Sequence, residues 1–360
     1  KRESRCAIPA TQADGKALRK RVEHGELCSP HRGLFMENEY WNTLDPAQRT
    51  IHQVRALQIQ NPRIIFAGPS AVAVYGYEHP WSIHASGIYR ADCSRGNQKP
   101  TNHALGRIYM PRISERIING IRVTTPERTL LDCSLMFPFR KVLPIFDSAM
   151  AQDSELSEKI MDLIPRIRRN TDALKKLLAY CNPLSDNGGE SFTRATMIEE
   201  GFQNPLIQHV IHDPSGGGKW YRVDFIWFLP DGRIIVAEYD GMAKYTDPMM
   251  TDRKNIQTIV NEQRDREQSL CSWGVTKIVR LYYEDAVNRT GLVSKPECLA
   301  RSYECNPVCH RRSSDRGLIH LHSKCIGFVR ESFSVAGFWG NKPVLYGHSS
   351  RCGAWGTVAG

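Results

Sequence analysis

Apolar and polar positions alternate most regularly between residues 206 and 282, in short runs separated by turn residues. Runs rich in β-branched and aromatic side chains predict strands, and an apolar period near 3.6 predicts helices. The predicted elements are a helix over 190–200, strands over 206–212, 220–228 and 233–240, a helix over about 252–273 and a strand over 275–282. This α-β-β-β-α-β order predicts a mixed α/β domain over residues 183–290, whose first residues, 183–189, form a linker-like run.

The first 37 residues have a different pattern, a basic helix followed by two short strands. Helix-forming residues over 15–24 end at Gly25, and residues 26–36 predict two strands around a turn. A short helix and a hairpin are the skeleton of a winged helix, in which the helix enters the major groove and the hairpin contacts phosphates. The pattern is equally typical of a solvated basic helix on a small α/β appendage. The predicted DNA-binding residues are the basic ones of this segment, Lys16, Arg19, Lys20, Arg21 and Arg32.

Residues 38–182 predict an α/β domain in which no catalytic set is recognisable. A strand over 64–66 and a helix up to Gly76 are predicted, and Thr125 is the predicted side-chain N-cap of a helix that starts at Pro126. This stretch contains neither a nucleophile–base pair nor a metal-ligand spacing, which favours a structural or partner-binding role. Residues 291–360 contain a Cys- and His-rich run whose spacing matches no familiar zinc finger, so they are predicted to be a disordered or non-native tail.

Carboxylates interrupt two of the predicted apolar strands. The period of two places Arg222, Asp224 and Ile226 on one face of the second strand, and Glu238 and Asp240 together on one face of the third. A carboxylate within a strand costs several kcal/mol of desolvation unless it is paired or binds a cation. The alternatives are an ion pair of Asp224 with a neighbouring arginine, either Arg222 or Arg233, and an ordinary strand-ending turn at Asp240.

Converging carboxylates would supply the oxygen ligands that Mg²⁺ takes, and Asp224, Glu238 and Asp240 are the predicted metal ligands. A bound Mg²⁺ lowers the pKa of a water and neutralises charge on a phosphodiester under attack. Glu190, at the start of the preceding helix, is the predicted fourth carboxylate of the catalytic set. Lys244 completes that set as a cation on the phosphate or an aid to water deprotonation.

Two resemblances to known families can be stated on these residues. The motifs Gly189-Glu190-Ser191-Phe192-Thr193-Arg194, Pro205-Leu206-Ile207-Gln208, Arg222-Val223-Asp224-Phe225, Glu238-Tyr239-Asp240-Gly241 with Lys244-Tyr245, and Glu262 with Arg266 and Leu270 resemble the very-short-patch-repair-like branch of the PD-(D/E)XK nuclease superfamily. The upstream region is similar to AbiEi-type antitoxins, through Arg32-Gly33-Leu34-Phe35, Gly68-Pro69-Ser70-Ala71 and Val123-Thr124-Thr125-Pro126-Glu127-Arg128-Thr129. Together the resemblances cover about residues 10–290.

These resemblances imply a modular organisation: a winged-helix-like module over 1–37, an AbiEi-like α/β domain over 38–182 and a restriction-endonuclease-like domain over 183–290. One implied function is a DNA-binding protein with a Mg²⁺-dependent endonuclease-like domain. The alternative is an antitoxin-type transcriptional regulator with a catalytically inactive nuclease fold, which would pair with a nucleotidyltransferase-type toxin. The superfamily pattern Glu-x-Lys is Glu238-Tyr239-Asp240 in this chain, and Lys244 stands where related branches have His.

Composition narrows the class of protein further. The chain has 360 residues, of which 41% are hydrophobic and 24% charged, a globular composition sufficient for two or three domains. Its net charge of +10 favours an anionic partner such as nucleic acid. No apolar run approaches the ~18 residues of a membrane span, and the chain begins without a Met or a signal segment, as a truncated N-terminal module would. Most of the 11 Cys residues are isolated within apolar stretches, which is typical of reduced thiols, so a cytoplasmic location is expected.

Overall fold

Helices alternate with small sheets along the chain, and the fold is mixed α/β, as predicted. The computed structural model describes residues 3–94, 96–101, 104–167, 169–241 and 256–293, all of which belong to one compact unit, Lys1–Glu304. Predicted site residue Lys244 and the predicted tail from residue 294 onward lie outside the described residues. None of the described helices is long and apolar enough to cross a membrane.

The described residues form twelve α-helices and ten strands. The helices are α1 (Gln12–Glu23), α2 (Asn38–Thr43), α3 (Pro46–Gln60), α4 (Pro69–Tyr75), α5 (Pro126–Met136), α6 (Phe139–Gln152), α7 (Leu156–Leu163), α8 (Asp172–Tyr180), α9 (Gly188–Glu199), α10 (Ile256–Ser272), α11 (Tyr283–Asn288) and α12 (Thr290–Val293). The strands are β1 (Leu27–His31), β2 (Leu34–Glu37), β3 (Tyr89–Asp92), β4 (Gly106–Tyr109), β5 (Glu115–Ile118), β6 (Ile121–Thr124), β7 (Leu206–His212), β8 (Trp220–Phe228), β9 (Ile234–Asp240) and β10 (Lys277–Tyr282).

The N-terminal module is a helix followed by an antiparallel hairpin, β1–β2. Helix α1 begins three residues earlier than predicted because Thr11 and Asp14 form a reciprocal capping box, a local signal that satisfies two free N–H groups. Gly25, with φ 76°, follows the helix, and Gly33, with φ 77°, makes the turn between the strands. The predicted order of helix and two strands is therefore confirmed, and buried Leu34 and Met36 anchor the hairpin in the core.

In the middle of the chain, Phe66 is fully buried in a core cluster with Val54, Ala71 and Val123. The predicted strand over 64–66 is reduced to isolated bridges from Phe66 to Arg90 and Val123. Thr125 does occupy the N-cap of α5, but the prediction that its side chain caps the helix was wrong, because it makes no capping hydrogen bond. The neighbouring Thr124 hydroxyl is instead hydrogen-bonded to that of Thr129 in the first turn of the helix.

The C-terminal sheet has the order β10-β9-β8-β7, with β8 antiparallel to both neighbours and β10 parallel to β9. A parallel neighbour requires a crossover connection, and α10 lies within it. Strands β7 and β8 have the bounds that the sequence predicts. One face of the sheet packs Phe225 and Trp227 against Phe192 of α9, and the other packs Ile226 and Val236 against Leu270 of α10.

Helix α9 is shared between the sheet and the helices that precede it. Phe192 belongs to the core of the sheet, whereas Ala195 belongs to a cluster with Phe146 of α6. Arg194 is 1% exposed and its Nη2 lies 2.7 Å from Oδ2 of Asp147, which is 2% exposed. The predicted boundary at 182/183 therefore separates two segments that use α9 as a common packing element.

Candidate functional site

The first turn of α9 holds Glu190 against β7, an edge strand of the C-terminal sheet. Asn187 caps the helix, because its side-chain oxygen accepts from the Glu190 N–H at 3.0 Å. The Glu190 side chain is buried and accepts three hydrogen bonds: from Asn187 Nδ2 at 2.6 Å, from the Asp186 backbone N–H at 3.1 Å and from Gln208 Nε2 at 2.8 Å. These donors fix the orientation of the carboxylate.

Asp224 of β8 lies close enough to Glu190 for the two carboxylates to repel each other. Burial raises the pKa of Glu190 to about 7, and the charge of Asp224 is the next largest cause. Asp224 is held by the backbone N–H of Tyr239, which donates to its Oδ2 at 2.8 Å. The structure thus brings together two of the predicted catalytic carboxylates, with independent hydrogen bonds holding each.

The predicted pairing alternatives for Asp224 are filled by other residues. Arg222 Nη2 lies 2.5 Å from Oδ2 of Asp186, and Arg233 pairs with Asp231 of the neighbouring turn at 2.8 Å. Neither arginine is therefore the ion-pair partner of Asp224 in this arrangement.

The alternation of side chains on β8 breaks at Asp224, so the predicted grouping of Asp224 with Ile226 on one face was wrong. Val223 packs with Ile226 on the α10 side of the sheet, whereas a strict period of two would place it beside Phe225 on the α9 side. The same break occurs on β7, where Ile207 and Ile211 belong to opposite sides. A change of side in both strands marks a local irregularity between them.

The irregularity is centred on Gln208, whose φ of 51° lies in the left-handed region. The pairs on either side, Ile207 with Phe225 and His209 with Val223, keep one register. Gln208 therefore stands opposite Asp224 across the two strands. Non-glycine residues rarely adopt this conformation inside a strand, because Cβ crowds the backbone.

The other two predicted metal ligands lie on β9. Glu238 Oε1 is 2.6 Å from Nη2 of Arg266, so this carboxylate faces α10 and has a cationic partner. Asp240, 9% exposed, is opposite Tyr282 of β10. Burial lowers the pKa of Arg280, but its hydrogen bond to Glu267 and the charges around it, with a smaller contribution from that of Asp240, together outweigh that effect and raise the pKa. Within the described ranges, no group of three or more His, Cys, Asp or Glu side chains is placed to hold a metal ion. Magnesium binding by these residues stays a prediction.

The predicted DNA-binding residues lie on the surface of the N-terminal module. All five are exposed: Lys16, Arg19, Lys20 and Arg21 on α1, and Arg32 in the turn between β1 and β2. The Arg21 side chain forms an ion pair with Glu26 at 2.7 Å. These positions leave the basic side chains accessible to an anionic partner.

The interpretation of residues 183–189 as a linker missed their part in the site. Asn187 caps α9 and contacts Glu190, and Asp186 pairs with Arg222. The spacing Asn187-x-x-Glu190, an N-cap residue with a Glu three positions later, is a helix-start signal that could have identified the cap. The hydrogen bond from Gln208 to Glu190 has no such local signal.

Comparison with known sequences adds relatives without an assigned activity. No family model matches the chain. Two proteins of Mycobacterium tuberculosis, "Uncharacterized protein MT2308" of strain CDC 1551 / Oshkosh and "Uncharacterized protein Rv2248" of strain ATCC 25618 / H37Rv, are each 27% identical to it over 192 residues. The match covers 51% of this chain and 66% of each relative, slightly less than two thirds of their length.

Proposed function

We propose that this chain is a DNA-binding protein with a Mg²⁺-dependent endonuclease-like domain that hydrolyses phosphodiester bonds. The observation that carries this proposal is the proximity of two carboxylates, Glu190 and Asp224, each held by hydrogen bonds where α9 packs on strands β7 and β8 of a mixed sheet. The α-β-β-β-α-β order around them supports a relationship to the very-short-patch-repair-like branch of the PD-(D/E)XK superfamily. Carboxyl groups with a perturbed pKa, such as Glu190, concentrate at functional sites.

The oxygen ligands of Glu190 and Asp224 fit a hard divalent cation. Mg²⁺ is commonly held by one or two carboxylates and keeps several waters, and Glu190 with Asp224 would hold it here. When bound, Mg²⁺ supplies a water of lowered pKa and neutralises charge on the phosphate. Asn187 and the Asp186 N–H orient the Glu190 carboxylate, and the Tyr239 N–H orients that of Asp224. For Glu238 to join them, it would have to exchange its Arg266 partner for the cation.

The N-terminal module would supply the DNA contact. Five exposed basic side chains on α1 and the hairpin turn suit phosphate binding, which sets position on the duplex without reading its sequence. A winged-helix-like role for α1, β1 and β2 is consistent with their order and with the similarity of this region to AbiEi-type antitoxins.

A plasmid-nicking assay with Mg²⁺, Mn²⁺ or EDTA tests the proposal. We expect slow nicking that requires a divalent cation and is lost in Asp224→Asn. The matched control is Asp231→Asn, which removes an exposed carboxylate that pairs with Arg233 in the turn after β8 and should leave nicking unchanged. Absence of nicking with both metals, or equal nicking by wild type and Asp224→Asn, would contradict the endonuclease proposal.

A second candidate function is that of an antitoxin-type DNA-binding regulator with an inactive nuclease fold. The ion pair between Glu238 and Arg266 favours it, because this carboxylate is already neutralised by a protein cation. Its expected partners are DNA and a nucleotidyltransferase-type toxin. Salt-dependent DNA binding with no cleavage under any metal condition would support this function over the first.

A further inference from the structure

We propose that Gln208 is an oxygen ligand of the divalent cation, through its side-chain Oε1, alongside Glu190 and Asp224. This inference rests on the proposed function, since it takes a divalent cation as the ligand of the site. It extends the predicted ligand set with a neutral amide that a pattern of acidic residues would not include.

The first observation is the orientation of the Gln208 amide. Its Nε2 donates to Oε2 of Glu190 at 2.8 Å, and because an ionised carboxylate only accepts, the nitrogen end faces Glu190 whenever that group carries its charge. The amide oxygen, Oε1, therefore makes no hydrogen bond to Glu190. Oε1 is buried and has no hydrogen-bond partner among the described residues. Buried polar atoms are nearly always satisfied, so an orphaned acceptor calls for a donor or a cation.

The second observation is the backbone of the same residue. Gln208 has φ 51° in the interior of β7, although the pairs on both sides of it keep their register. A non-glycine residue in this region is strained, and such strain persists where the surrounding structure imposes it, often at functional sites. The strained residue is the one opposite Asp224, and side chains on both strands change side at this point.

The third observation is the charge already present. When both are ionised, Glu190 and Asp224 place two negative charges in a partly buried part of the sheet, and each has an oxygen held by a hydrogen bond from a neighbour. A third carboxylate would add repulsion in the metal-free protein, whereas an amide oxygen coordinates a hard cation without further charge. The chemistry of glutamine suits this position better than that of glutamate.

Thermal unfolding of the full chain, titrated with Mg²⁺ or Mn²⁺ and without DNA, tests the ligand role. Gln208→Gly removes the oxygen and also relieves the positive φ, so loss of metal binding would not follow from backbone strain. Asn119→Gly is the matched control, because Asn119 has φ 49° in the exposed turn between β5 and β6. We expect the midpoint of the metal-induced rise in Tm to shift at least about tenfold to higher concentration in Gln208→Gly and to stay unchanged in Asn119→Gly.

An equal metal response in wild type and Gln208→Gly, with loss in Asp224→Asn, would overturn the role of Gln208 and leave the proposed function standing. No metal response in wild type would remove the cation site itself, and Gln208 as its ligand with it. If Gln208→Gly does not fold, Gln208→Glu and Gln208→Leu decide the question. Glutamate keeps an oxygen and leucine has none, so a response retained only in Gln208→Glu supports the role and one retained in both variants overturns it.

Discussion

Replacing Glu190 by Gln should change how the stability of the metal-free protein depends on pH. Burial, and then repulsion by Asp224, raise the pKa of Glu190 from the ordinary 4.5 to about 7 in the folded protein. The folded state therefore binds a proton more tightly than the unfolded state does. The stability from this protonated group is fully present below pH 4.5 and is lost as pH rises through about 7.

The magnitude follows from the difference between the two pKa values. A difference of about 2.5 units corresponds to about 3 kcal/mol in total, of which about 2.5 kcal/mol falls between pH 5 and pH 8. The glutamine side chain of the Glu190→Gln variant cannot ionise, so this loss should be absent from it. The new amide places an NH₂ group against donors such as Gln208 Nε2, which adds a cost that does not vary with pH and cancels in the comparison.

Urea denaturation in EDTA at pH 5 and pH 8 measures the effect. The stability of Glu190→Gln relative to wild type should rise by about 2 to 3 kcal/mol between the two pH values. Glu23→Gln, at the exposed end of α1, is the control and should follow the wild-type profile. Parallel profiles for wild type and Glu190→Gln would refute the argument that Glu190 is a buried carboxylate repelled by Asp224.

Three further predictions concern the DNA contact, the shared helix and the edge of the site. Replacing the four basic residues of α1 (Lys16, Arg19, Lys20, Arg21) by Ala should weaken DNA binding and flatten the slope of log K against log salt by ~0.9 per lost phosphate contact. Fluorescence anisotropy measures this slope, and an unchanged slope would contradict the winged-helix role. Asp147→Asn should lower the free energy of unfolding in urea by ~3–5 kcal/mol, because it leaves the charge of Arg194 buried and uncompensated. The double variant Asp147→Asn with Arg194→Met should recover much of this stability, whereas a cost under ~1 kcal/mol in the single variant would show that the ion pair is dispensable. Gly189→Ala should lower Tm because an added Cβ would collide with the Tyr239 ring. Adding Tyr239→Ala to this variant removes the collision and should restore the Tm, whereas an unaltered Tm in the single variant would mean that the ring moves aside.

Local patterns determined the elements of this chain where neighbouring residues carry the whole signal. Strands β7 and β8 have their predicted bounds because an alternation of side chains and the turn after each are properties of consecutive residues. The start of α9 likewise has a local signal, the N-cap residue Asn187 followed by Glu190, although the predicted helix did not include this cap. Glu190 and Asp224 could be selected as candidates for a similar reason, since a carboxylate beside apolar positions is conspicuous in a sequence.

Tertiary structure decided which side chains meet, since their partners are distant in sequence. Glu238 could be predicted as a carboxylate on the third strand, but its ion pair depends on Arg266 of α10, which reaches the sheet only after the crossover is packed. The change of side at Asp224 likewise depends on a residue of another strand, Gln208, whose left-handed backbone breaks the period of two in both strands. A period describes one regular strand, whereas the site depends on an irregular pair of strands and on the helix packed against them.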